Sequence, residues 1–591
     1  MSHTTRLTLP LAALLGALTG CPTVTLPPLQ DGDDTGGGST GGTTGATGAT
    51  GGEEGIVPAH CDDTTKQTLA ILDASCARCH SGAAQPAGSI NYITDLDALI
   101  REGKVIPGKP EESRIFVRLT SADAPMPPAS EAQRPSATDI AVVEQWIAEC
   151  AGKSSCSDQA FKTTEEMLEA ILSDIGKNVP LEELQFTRYF SFVHLYNAGW
   201  CDDRIEPYRH ALAKLVNSLS SETQIRVPVA IDADRLLFRI DIRDYGWSQA
   251  LWERIADANP YTIEYVQDTA DKIKKDVLTD RFVLAGDAFL AFSSVPPLYH
   301  EILAIPNTRQ QLEAGFGIDI GANIEEEKIN NPDEVARAGF HMSDVSFNHR
   351  MIERHKFPDA SNRIYWISYD FKGNDGDRNF FADPFDFEED GGEIIFNLPN
   401  GLQGYMLVDA LGNRLDTAPP DVVKDKNQED GIVVNGVSCM GCHSKGMIMV
   451  DDDLRYEIDQ GGGVGNFDPD EEKEIRNLFP LRSDFQALLN DDTGRFTAAV
   501  AAAGVPTDGD KEPILAVFLA FDEDVKLRRA AAELGLKESV FRELIGSLTT
   551  NDLDDLRKPD TSIQREVFTA NFAQTVCDLK LGVTNKCPSS N

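Results

Sequence analysis

Basic residues are in short supply in this chain. Its 591 residues include 54 Lys and Arg against 95 Asp and Glu, which gives a formal net charge of −41 at pH 7. A surface of this charge repels the phosphate backbone of nucleic acid and keeps a protein soluble. The sequence therefore predicts no nucleic-acid partner. The same acidity can steer basic redox proteins, although a solvated acidic surface explains it equally well.

Several catalytic signatures are missing as well. The sequence has no glycine-rich phosphate loop, no zinc-protease HExxH motif, and no serine nucleophile elbow between a predicted strand and helix. Apart from the N-terminus, it has no apolar run long enough to span a bilayer. These absences argue against nucleotide hydrolysis, zinc proteolysis, serine hydrolysis and an integral membrane body.

The N-terminus has the pattern of an export signal. Arg6 precedes the apolar stretch 7–18, which is too short to span a bilayer, so residues 1–20 are predicted to be a signal peptide. The stretch ends at Leu18-Thr19-Gly20-Cys21, which resembles a bacterial lipobox. The resemblance implies cleavage before Cys21 and lipidation of its sulfur. An ordinary signal peptide followed by an unrelated cysteine is the alternative.

A linker is predicted after the lipidated cysteine. Residues 21–56 contain a stretch rich in Gly, Thr, Ser and Ala that cannot bury a core, so we expect a disordered spacer. The folded body is then expected to be anchored to a membrane through Cys21. Pro22 does not match an inner-membrane retention signal, which favours the outer membrane, facing either the periplasm or the cell surface.

Two CxxCH motifs carry the chemistry of the chain. They are Cys76-Ala77-Arg78-Cys79-His80 and Cys439-Met440-Gly441-Cys442-His443. Two thiols three residues apart can form thioethers with the vinyl groups of one porphyrin, and the adjacent histidine then lies beneath the iron. Each motif therefore predicts one covalent haem c, named haem 1 and haem 2 in chain order.

The paired cysteines also suit two other kinds of site. Together the four cysteines could form one zinc site. That leaves both histidines unexplained, and the two pairs lie far apart in the chain. A thioredoxin-like redox site would need a βαβ context, which neither motif has. Both alternatives are weaker than haem attachment.

The remaining cysteines predict disulfides. The chain has 11 cysteines; one is assigned to lipid and four to haem. The other six are Cys61, Cys150, Cys156, Cys201, Cys577 and Cys587. An even number in an oxidising compartment favours three disulfides, whose pairing the sequence does not determine. We expect Cys61 to pair with Cys150, because they bracket one domain, and Cys577 to pair with Cys587.

The first motif lies in a predicted domain over residues 57–151. Helices are predicted over 65–77 and 138–150, and prolines on both sides of Met126 stiffen a loop that could hold its sulfur against the iron. This stretch resembles the small class I cytochrome c domains of large exported bacterial proteins. The resemblance implies an all-helical fold and a six-coordinate haem with His80 and Met126 as ligands. A core methionine is the alternative for Met126.

The second motif has no obvious distal ligand. No histidine follows His443, and Met447 and Met449 follow it too closely to reach the opposite face of the ring with ease. The upstream candidates are His194, His210, His300, His341, His349, His355, Met342, Met351 and Met406. His355 and His300 are favoured. A lysine or no ligand is also possible, and an open iron could bind a small molecule or react with peroxide.

The rest of the chain predicts an α+β domain over 157–438 and a mainly helical region over 439–591, so the fold class is multidomain. Helices are predicted over 163–172, 181–197 and 514–534, a helical turn over 347–356, and strands over 364–371, 393–398 and 401–409. The last two strands flank Pro399-Asn400 and are predicted to form a hairpin.

Residues 160–580 resemble a group of large exported bacterial proteins with a C-terminal CxxCH. The resemblance rests on the segments His194-Leu195-Tyr196-Asn197-Ala198-Gly199, Pro297-Leu298-Tyr299-His300, Asn397-Leu398-Pro399-Asn400-Gly401 and Ser438 to His443. It implies a second haem but names no substrate.

The leading hypothesis is an exported di-haem c-type cytochrome that exchanges electrons with a redox partner protein of the cell envelope. One alternative is a di-haem oxidoreductase or peroxidase-like enzyme with haem 2 as an open active site. Another is a surface protein that binds ligands at haem 2. Electron transfer is favoured over catalysis. The coordination of haem 2 discriminates among the three.

Overall fold

The computed structural model describes most of the chain after residue 60. The described residues are 61–80, 90, 92–131, 133–151, 159–342, 348–359, 361–373, 379–418, 425, 431–460, 467–507, 512–559 and 561–587. The predicted signal peptide, Cys21 and the linker lie outside them. The chain forms two compact units, Met1–Ser157 and Asp158–Asn591, called unit 1 and unit 2. No helix of the described part is both long and apolar enough to cross a membrane.

Unit 1 is helical over its described residues. Its helices are α1 Cys61–His80, α2 Leu96–Arg101, α3 Arg114–Thr120 and α4 Ala137–Gln145, with a 3-10 turn Pro110–Glu112 and a π-helical turn Trp146–Cys150. Helix α4 begins at a capping box, in which Ser136 and Asp139 each bond the other's backbone N–H. The helices predicted over 65–77 and 138–150 are confirmed.

A disulfide and a small core hold unit 1 together. Cys61 at the start of α1 is bonded to Cys150, with their Cα atoms 5.3 Å apart, which confirms the predicted pair. Leu72 of α1 packs in one core with Leu99, Val143 and Trp146. The disulfide and the core together join α1 to α4 and to the π-helical turn that follows it.

Unit 2 contains helices throughout its length. They are α5 Thr164–Asn178, α6 Val193–Asn197, α7 Asp202–Ser218, α8 Gln249–Ala258, α9 Asp268–Val277, α10 Gly286–Ser293, α11 Leu298–Ile302, α12 Arg309–Phe316, α13 Ile320–Asn330, α14 Val437–Cys442, α15 Asp453–Asp459, α16 Pro469–Leu478, α17 Arg482–Ala502, α18 Pro513–Phe521, α19 Leu527–Glu533, α20 Glu538–Leu544 and α21 Arg565–Asp578. Cys577 on α21 is bonded to Cys587, as predicted. Cys201 is also disulfide-bonded, to a partner outside the described residues.

The strands of unit 2 form two larger sheets and two short pairs. They are β1 Thr187–Ser191, β2 Val229–Ala230, β3 Leu237–Asp241, β4 Val283–Ala285, β5 Val335–Phe340, β6 Arg350–Lys356, β7 Ile364–Asp370, β8 Gly391–Asn397, β9 Gln403–Asp409, β10 Arg414–Leu415, β11 Thr417–Ala418, β12 Val433–Val434, β13 Val525–Lys526 and β14 Ser562–Ile563. The order β10-β9-β8-β7-β6-β5 makes an antiparallel meander. The order β2-β3-β1-β4 makes a smaller mixed sheet, in which β1 and β4 are parallel.

The six-stranded meander and the second CxxCH motif share one hydrophobic core. Tyr365 and Tyr405 of the sheet belong to the same buried cluster as Cys439 and Met440 of α14 and Phe496 of α17. Residues 158–591 accordingly form one compact unit, and the structure does not divide the chain at the predicted boundary after residue 438. The α+β region and the helical region fold around each other.

Three predicted helices are wrong. Residues 514–534 form most of α18, the short strand β13 and α19 rather than one helix. Residues 181–197 form a 3-10 turn at Leu184–Phe186, then strand β1, then the short helix α6. The predicted helical turn at 347–356 is strand β6. Strand β6 carries charged residues on both of its faces, and these are paired within the protein, so its sequence lacks the apolar alternation by which a strand is recognised. The hairpin of β8 and β9 is confirmed.

Candidate haem-binding sites

The first CxxCH motif lies at the C-terminal end of α1. Cys76 and Cys79 form no disulfide, and both are partly exposed. Residues three apart on a helix lie on the same face, so both thiols can reach one ligand. Burial and the neighbouring Cys79 raise the pKa of the Cys76 thiol to about 11. Cys76 is therefore a protonated thiol at neutral pH before any haem is attached.

His80 is oriented by the backbone. Its Nδ1 lies 3.4 Å from the carbonyl oxygen of Ile90. A proton on Nδ1, donated to this carbonyl, leaves the lone pair of Nε2 available for a metal. Such a hydrogen bond selects the tautomer that an axial haem ligand requires.

The loop that carries Met126 is attached to α3. The Met126 N–H donates to the carbonyl of Arg118 at 2.9 Å, and the Arg118 guanidinium donates to the carbonyl of Ala124 at 3.2 Å. Arg134 also donates to the carbonyl of Pro127. These contacts hold the backbone on both sides of Met126, whose side chain is half-buried. The role of Met126 as an axial ligand stays a prediction.

The second CxxCH motif occupies the short helix α14 and the residue after it. Gly436 precedes the helix with a φ of 90°, a conformation that L side chains rarely adopt. A Cβ at this position would lie 2.4 Å from the carbonyl oxygen of Ser294. Glycine thus allows the chain to enter α14 in close contact with the rest of the unit. Cys439 is buried, Cys442 is half-buried, and neither forms a disulfide.

His443 is oriented in the same way as His80. Its Nδ1 lies 3.2 Å from the carbonyl oxygen of Gly446, which leaves the lone pair of Nε2 available for a metal. The imidazole also stacks on Tyr405, with the ring centroids 6.0 Å apart and an interplanar angle of 29°. A backbone carbonyl and an aromatic ring together fix the orientation of this histidine.

His300 contacts the second motif through Asn435. Its Nε2 lies 2.6 Å from Oδ1 of Asn435, and the Asn435 amide donates to Sγ of Cys439 at 3.8 Å. The adjacent Tyr299 accepts a hydrogen bond from the N–H of Tyr405 at 2.9 Å. His300 is therefore close to the motif, but it contacts the chain before α14. It is not one of the residues that line the cavity described next.

A cavity of about 640 Å³ lies between α14 and the six-stranded sheet. This volume is typical of cofactor pockets, which measure roughly 300–1,000 Å³. Cys439, Cys442 and His443 line one wall, and residues 447–451 continue it. The sheet contributes Arg350, Ile352, Ser368, Asp370, Glu393 and Leu407. The two thiols, the oriented imidazole and the adjoining space fit a covalently attached haem.

Strand alternation explains which side chains of the sheet face the cavity. Ile352 pairs with Ser368, and Arg350 pairs with Asp370, across β6 and β7. Odd-numbered residues of β6 point to the opposite face. His355 is one of them: its Nε2 lies 2.8 Å from Glu353, and its Nδ1 lies 3.2 Å from the Asn323 amide of α13. The structure therefore does not bring His355 to the second motif.

The other predicted distal candidates divide into three groups. Met351 and Met406 are buried in the sheet and do not line the cavity. Met342, Met447 and Met449 line the cavity. The upstream histidines have partners elsewhere: His194 with Asp287 at 2.7 Å, His210 with Glu206 at 3.6 Å, and His341 with His349 at 3.1 Å. Among the described residues, His443 is the histidine that lines the cavity.

A residue that the sequence analysis missed lies beside His443. Oε2 of Glu393 is 3.6 Å from Nε2 of His443, and the carboxylate is largely buried. Burial alone would raise its pKa, but the charges of His443 and Arg350 outweigh burial and lower the pKa of Glu393 to about 2. The signal in the sequence was an acidic residue within a strand, directly after two glycines. The sequence predicts only that this residue begins a strand of the hairpin.

Zinc has no alternative site in the part of the chain that the structure describes. No group of three or more His, Cys, Asp and Glu residues is arranged there to hold a metal ion. The two cysteine pairs also belong to different units. Each pair has its own histidine, as haem attachment requires.

Comparison with known proteins adds an independent result for unit 1. A family model described as Planctomycete cytochrome C matches residues 76–130. The matched segment begins at Cys76 and includes His80 and Met126, so the chain contains a cytochrome c domain, and the family implies covalently bound haem c. No curated protein and no solved structure matches the chain.

Proposed function

We propose that this chain, with its cytochrome c domain, is an exported di-haem c-type cytochrome that transfers electrons outside the cytoplasm. Haem 1 is attached to Cys76 and Cys79, with His80 and Met126 as its axial ligands. A second haem is attached to the other motif, and its partner is a redox protein of the cell envelope. A lipid on Cys21 anchors the protein to a membrane, with the outer membrane favoured.

The observation that carries the proposal for haem 2 is the cavity beside the second motif. Cys439, Cys442 and His443 line a space of about 640 Å³, large enough for a cofactor. The state of the cysteines supports the same conclusion. The motif cysteines form no disulfide, whereas Cys61, Cys150, Cys201, Cys577 and Cys587 are disulfide-bonded. In an oxidising compartment, thioether bonds to haem explain why the motif cysteines are kept out of disulfides.

The chemistry divides between cofactor and chain. Haem supplies a one-electron couple whose potential depends on axial ligand, hydrogen bonding and burial. The chain would hold it through the two thiols and orient the proximal imidazole through the carbonyl of Ile90 or of Gly446. At the first site, Met126 would close the coordination sphere, which suits electron transfer.

A count of covalent haems per chain tests the proposal. The matured wild type is expected to contain two haems in a pyridine haemochrome assay. Cys439→Ala with Cys442→Ala should retain one, and so should Cys76→Ala with Cys79→Ala. The matched control is Cys577→Ala with Cys587→Ala, which also removes two sulfurs but should keep both haems.

Two results would contradict the proposal. One is a wild-type protein with a single haem. The other is a Cys439→Ala, Cys442→Ala variant with the wild-type haem count. Membrane attachment is tested separately by Cys21→Ser, which should move the protein from the membrane fraction to the soluble fraction.

A second candidate function is favoured by the polar groups in the cavity. Arg350, Asp370 and Glu393 face the space beside His443, whereas a pure relay haem needs no such groups. Haem 2 could then be an open site of an oxidoreductase or of a ligand-binding protein. A high-spin haem 2 that binds cyanide or carbon monoxide would favour this candidate over a pure relay.

A further inference from the structure

The cavity of the second motif has a carboxylate where the sequence analysis sought a histidine or a methionine. His443 reaches the cavity from the wall formed by α14. Glu393 reaches it from β8, on the wall formed by the sheet. Their facing atoms, Nε2 and Oε2, are 3.6 Å apart. The two side chains therefore approach one point from opposite sides of the cavity.

The separation is close to what a shared metal requires. Bonds from a metal to an imidazole nitrogen and to a carboxylate oxygen are each roughly 2.0–2.2 Å long, so two donors on opposite sides lie about 4 Å apart. The 3.6 Å between His443 and Glu393 needs only a small outward shift to reach this value. Iron bound to His443 would thus have Glu393 as its neighbour on the other side.

The sheet holds Glu393 in this position. Its backbone N–H donates to Oγ of Ser368 at 2.8 Å, and that hydroxyl donates to Asp370 at 3.2 Å. Arg350 bonds the same two side chains: it donates to Asp370 at 3.2 Å and to Ser368 at 3.3 Å. Glu393 is therefore held on an inner strand beside a fixed positive charge, and its carboxylate remains in the cavity.

The competing donors are less well placed. The Gln403 amide contacts Sδ of Met447 at 3.6 Å, so this sulfur already has a partner. Met342 and Met449 are exposed at the mouth of the cavity, at 66% and 48% of their surface. Neither histidine favoured by the sequence analysis lines the cavity, as described above. Among the described residues, Glu393 is thus the best-positioned donor opposite His443.

We propose that Glu393 is the axial ligand opposite His443 at haem 2, a weak oxygen donor that small neutral or anionic molecules can displace. This inference rests on the proposed function, because it requires a haem at the second motif. It makes the two haems unequal. Haem 1, closed by Met126, is a relay, and haem 2 is an exchangeable ligand-binding site.

Imidazole is the probe that tests the proposal, because it is neutral. A ligand that competes with Glu393 for iron should bind more tightly when the carboxylate is removed. Removing the carboxylate also changes the charge of the cavity, but this change has little effect on the binding of a neutral probe. The experiment uses the full chain with both haems attached. It measures the haem count, the ferric absorption and electron paramagnetic resonance spectra, and the imidazole affinity of the high-spin haem.

Three variants define the expected results. Glu393→Gln should keep two haems and bind imidazole at haem 2 at least about tenfold more tightly than wild type. Glu393→His should place a strong-field nitrogen donor opposite His443, convert haem 2 to low spin and weaken imidazole binding. The matched control is Glu389→Gln, which makes the same change at a carboxylate that pairs with Arg309 at 3.4 Å and does not line the cavity. It should match wild type.

The outcomes distinguish the two proposals. A wild type with two low-spin haems, or a Glu393→Gln variant that binds imidazole like Glu389→Gln, overturns the role of Glu393 and leaves the di-haem function intact. A wild type with one haem per chain overturns both. A high-spin haem 2 together with tighter imidazole binding by Glu393→Gln supports both.

Discussion

The two CxxCH motifs share their residue pattern, but the protein holds them in different ways. The first ends α1, a helix of 20 residues whose first residue is cross-linked to Cys150. The second lies on α14, a helix of 6 residues that is too short to be stable alone. Packing against Tyr299, Asn435 and the six-stranded sheet supports it. The first motif thus relies on local structure and a disulfide, and the second on tertiary contacts.

The surroundings of the two histidines differ as well. Both rings are oriented by a hydrogen bond from Nδ1 to a backbone carbonyl. Beyond that, unit 1 has a proline-flanked loop with Met126, which we propose closes the first site, whereas the second motif lines a cavity that Glu393 also lines. In this proposal one attachment motif serves a closed site in unit 1 and an open one in unit 2, because different parts of the fold face the two histidines.

Removal of Met126 should have the largest effect on this comparison. In the haem-loaded protein, Met126→Ala is expected to open haem 1 to external ligands and to lower its reduction potential by at least about 59 mV, a tenfold change in a one-electron equilibrium. Potentiometric titration and a visible spectrum with added imidazole measure both effects. Met342→Ala, in the other unit, is the control and should leave haem 1 unchanged. An unaltered haem 1 spectrum in Met126→Ala would exclude this residue as a ligand.

The next effect concerns the cross-link of unit 1. Cys61 and Cys150 are 89 residues apart, and Cys577 and Cys587 are 10 apart. In the chain-entropy description, loops of these lengths correspond to about 4.6 and 2.7 kcal/mol of stabilisation. Replacing Cys61 and Cys150 with alanine should therefore lower the stability of unit 1 by more than replacing Cys577 and Cys587 lowers the stability of the C-terminal region of unit 2. Denaturant unfolding followed at haem 1 and by tryptophan fluorescence measures the two losses, and a larger loss for the C-terminal pair would contradict the comparison.

The smallest effect concerns the entry into α14. Gly436→Ala is expected to cost about 1–3 kcal/mol, because φ is 90° and the new Cβ would meet a carbonyl oxygen at 2.4 Å. The matched control is Gly494→Ala within α17, where a Cβ meets nothing within 4 Å. This variant should gain about 0.5–1 kcal/mol. Thermal unfolding of unit 2 compares the two, and equal midpoints would mean that α14 tolerates a side chain at its start.

Parts of the fold were predictable where local sequence decides the structure. Helix α1, the hairpin of β8 and β9, and the Cys61–Cys150 pair were all predicted. The strand β6 was not, because its charged residues are buried as ion pairs: Arg350 with Asp370, and Arg354 with Asp492. A strand buried on both faces by ion pairs shows no alternation of apolar and polar residues. The predicted helix over 181–197 was wrong because a short strand joins the small mixed sheet there.

The sequence by itself determined where haem can be attached, since two thiols and an imidazole within five residues form a local pattern that needs no fold to be recognised. The tertiary structure alone decided what faces His443. Glu393 lies 50 residues earlier in the chain and reaches the cavity through the register of β8 with its neighbours. A one-residue shift of that strand would turn Glu393 to the other face of the sheet, and no local pattern in the sequence specifies that register.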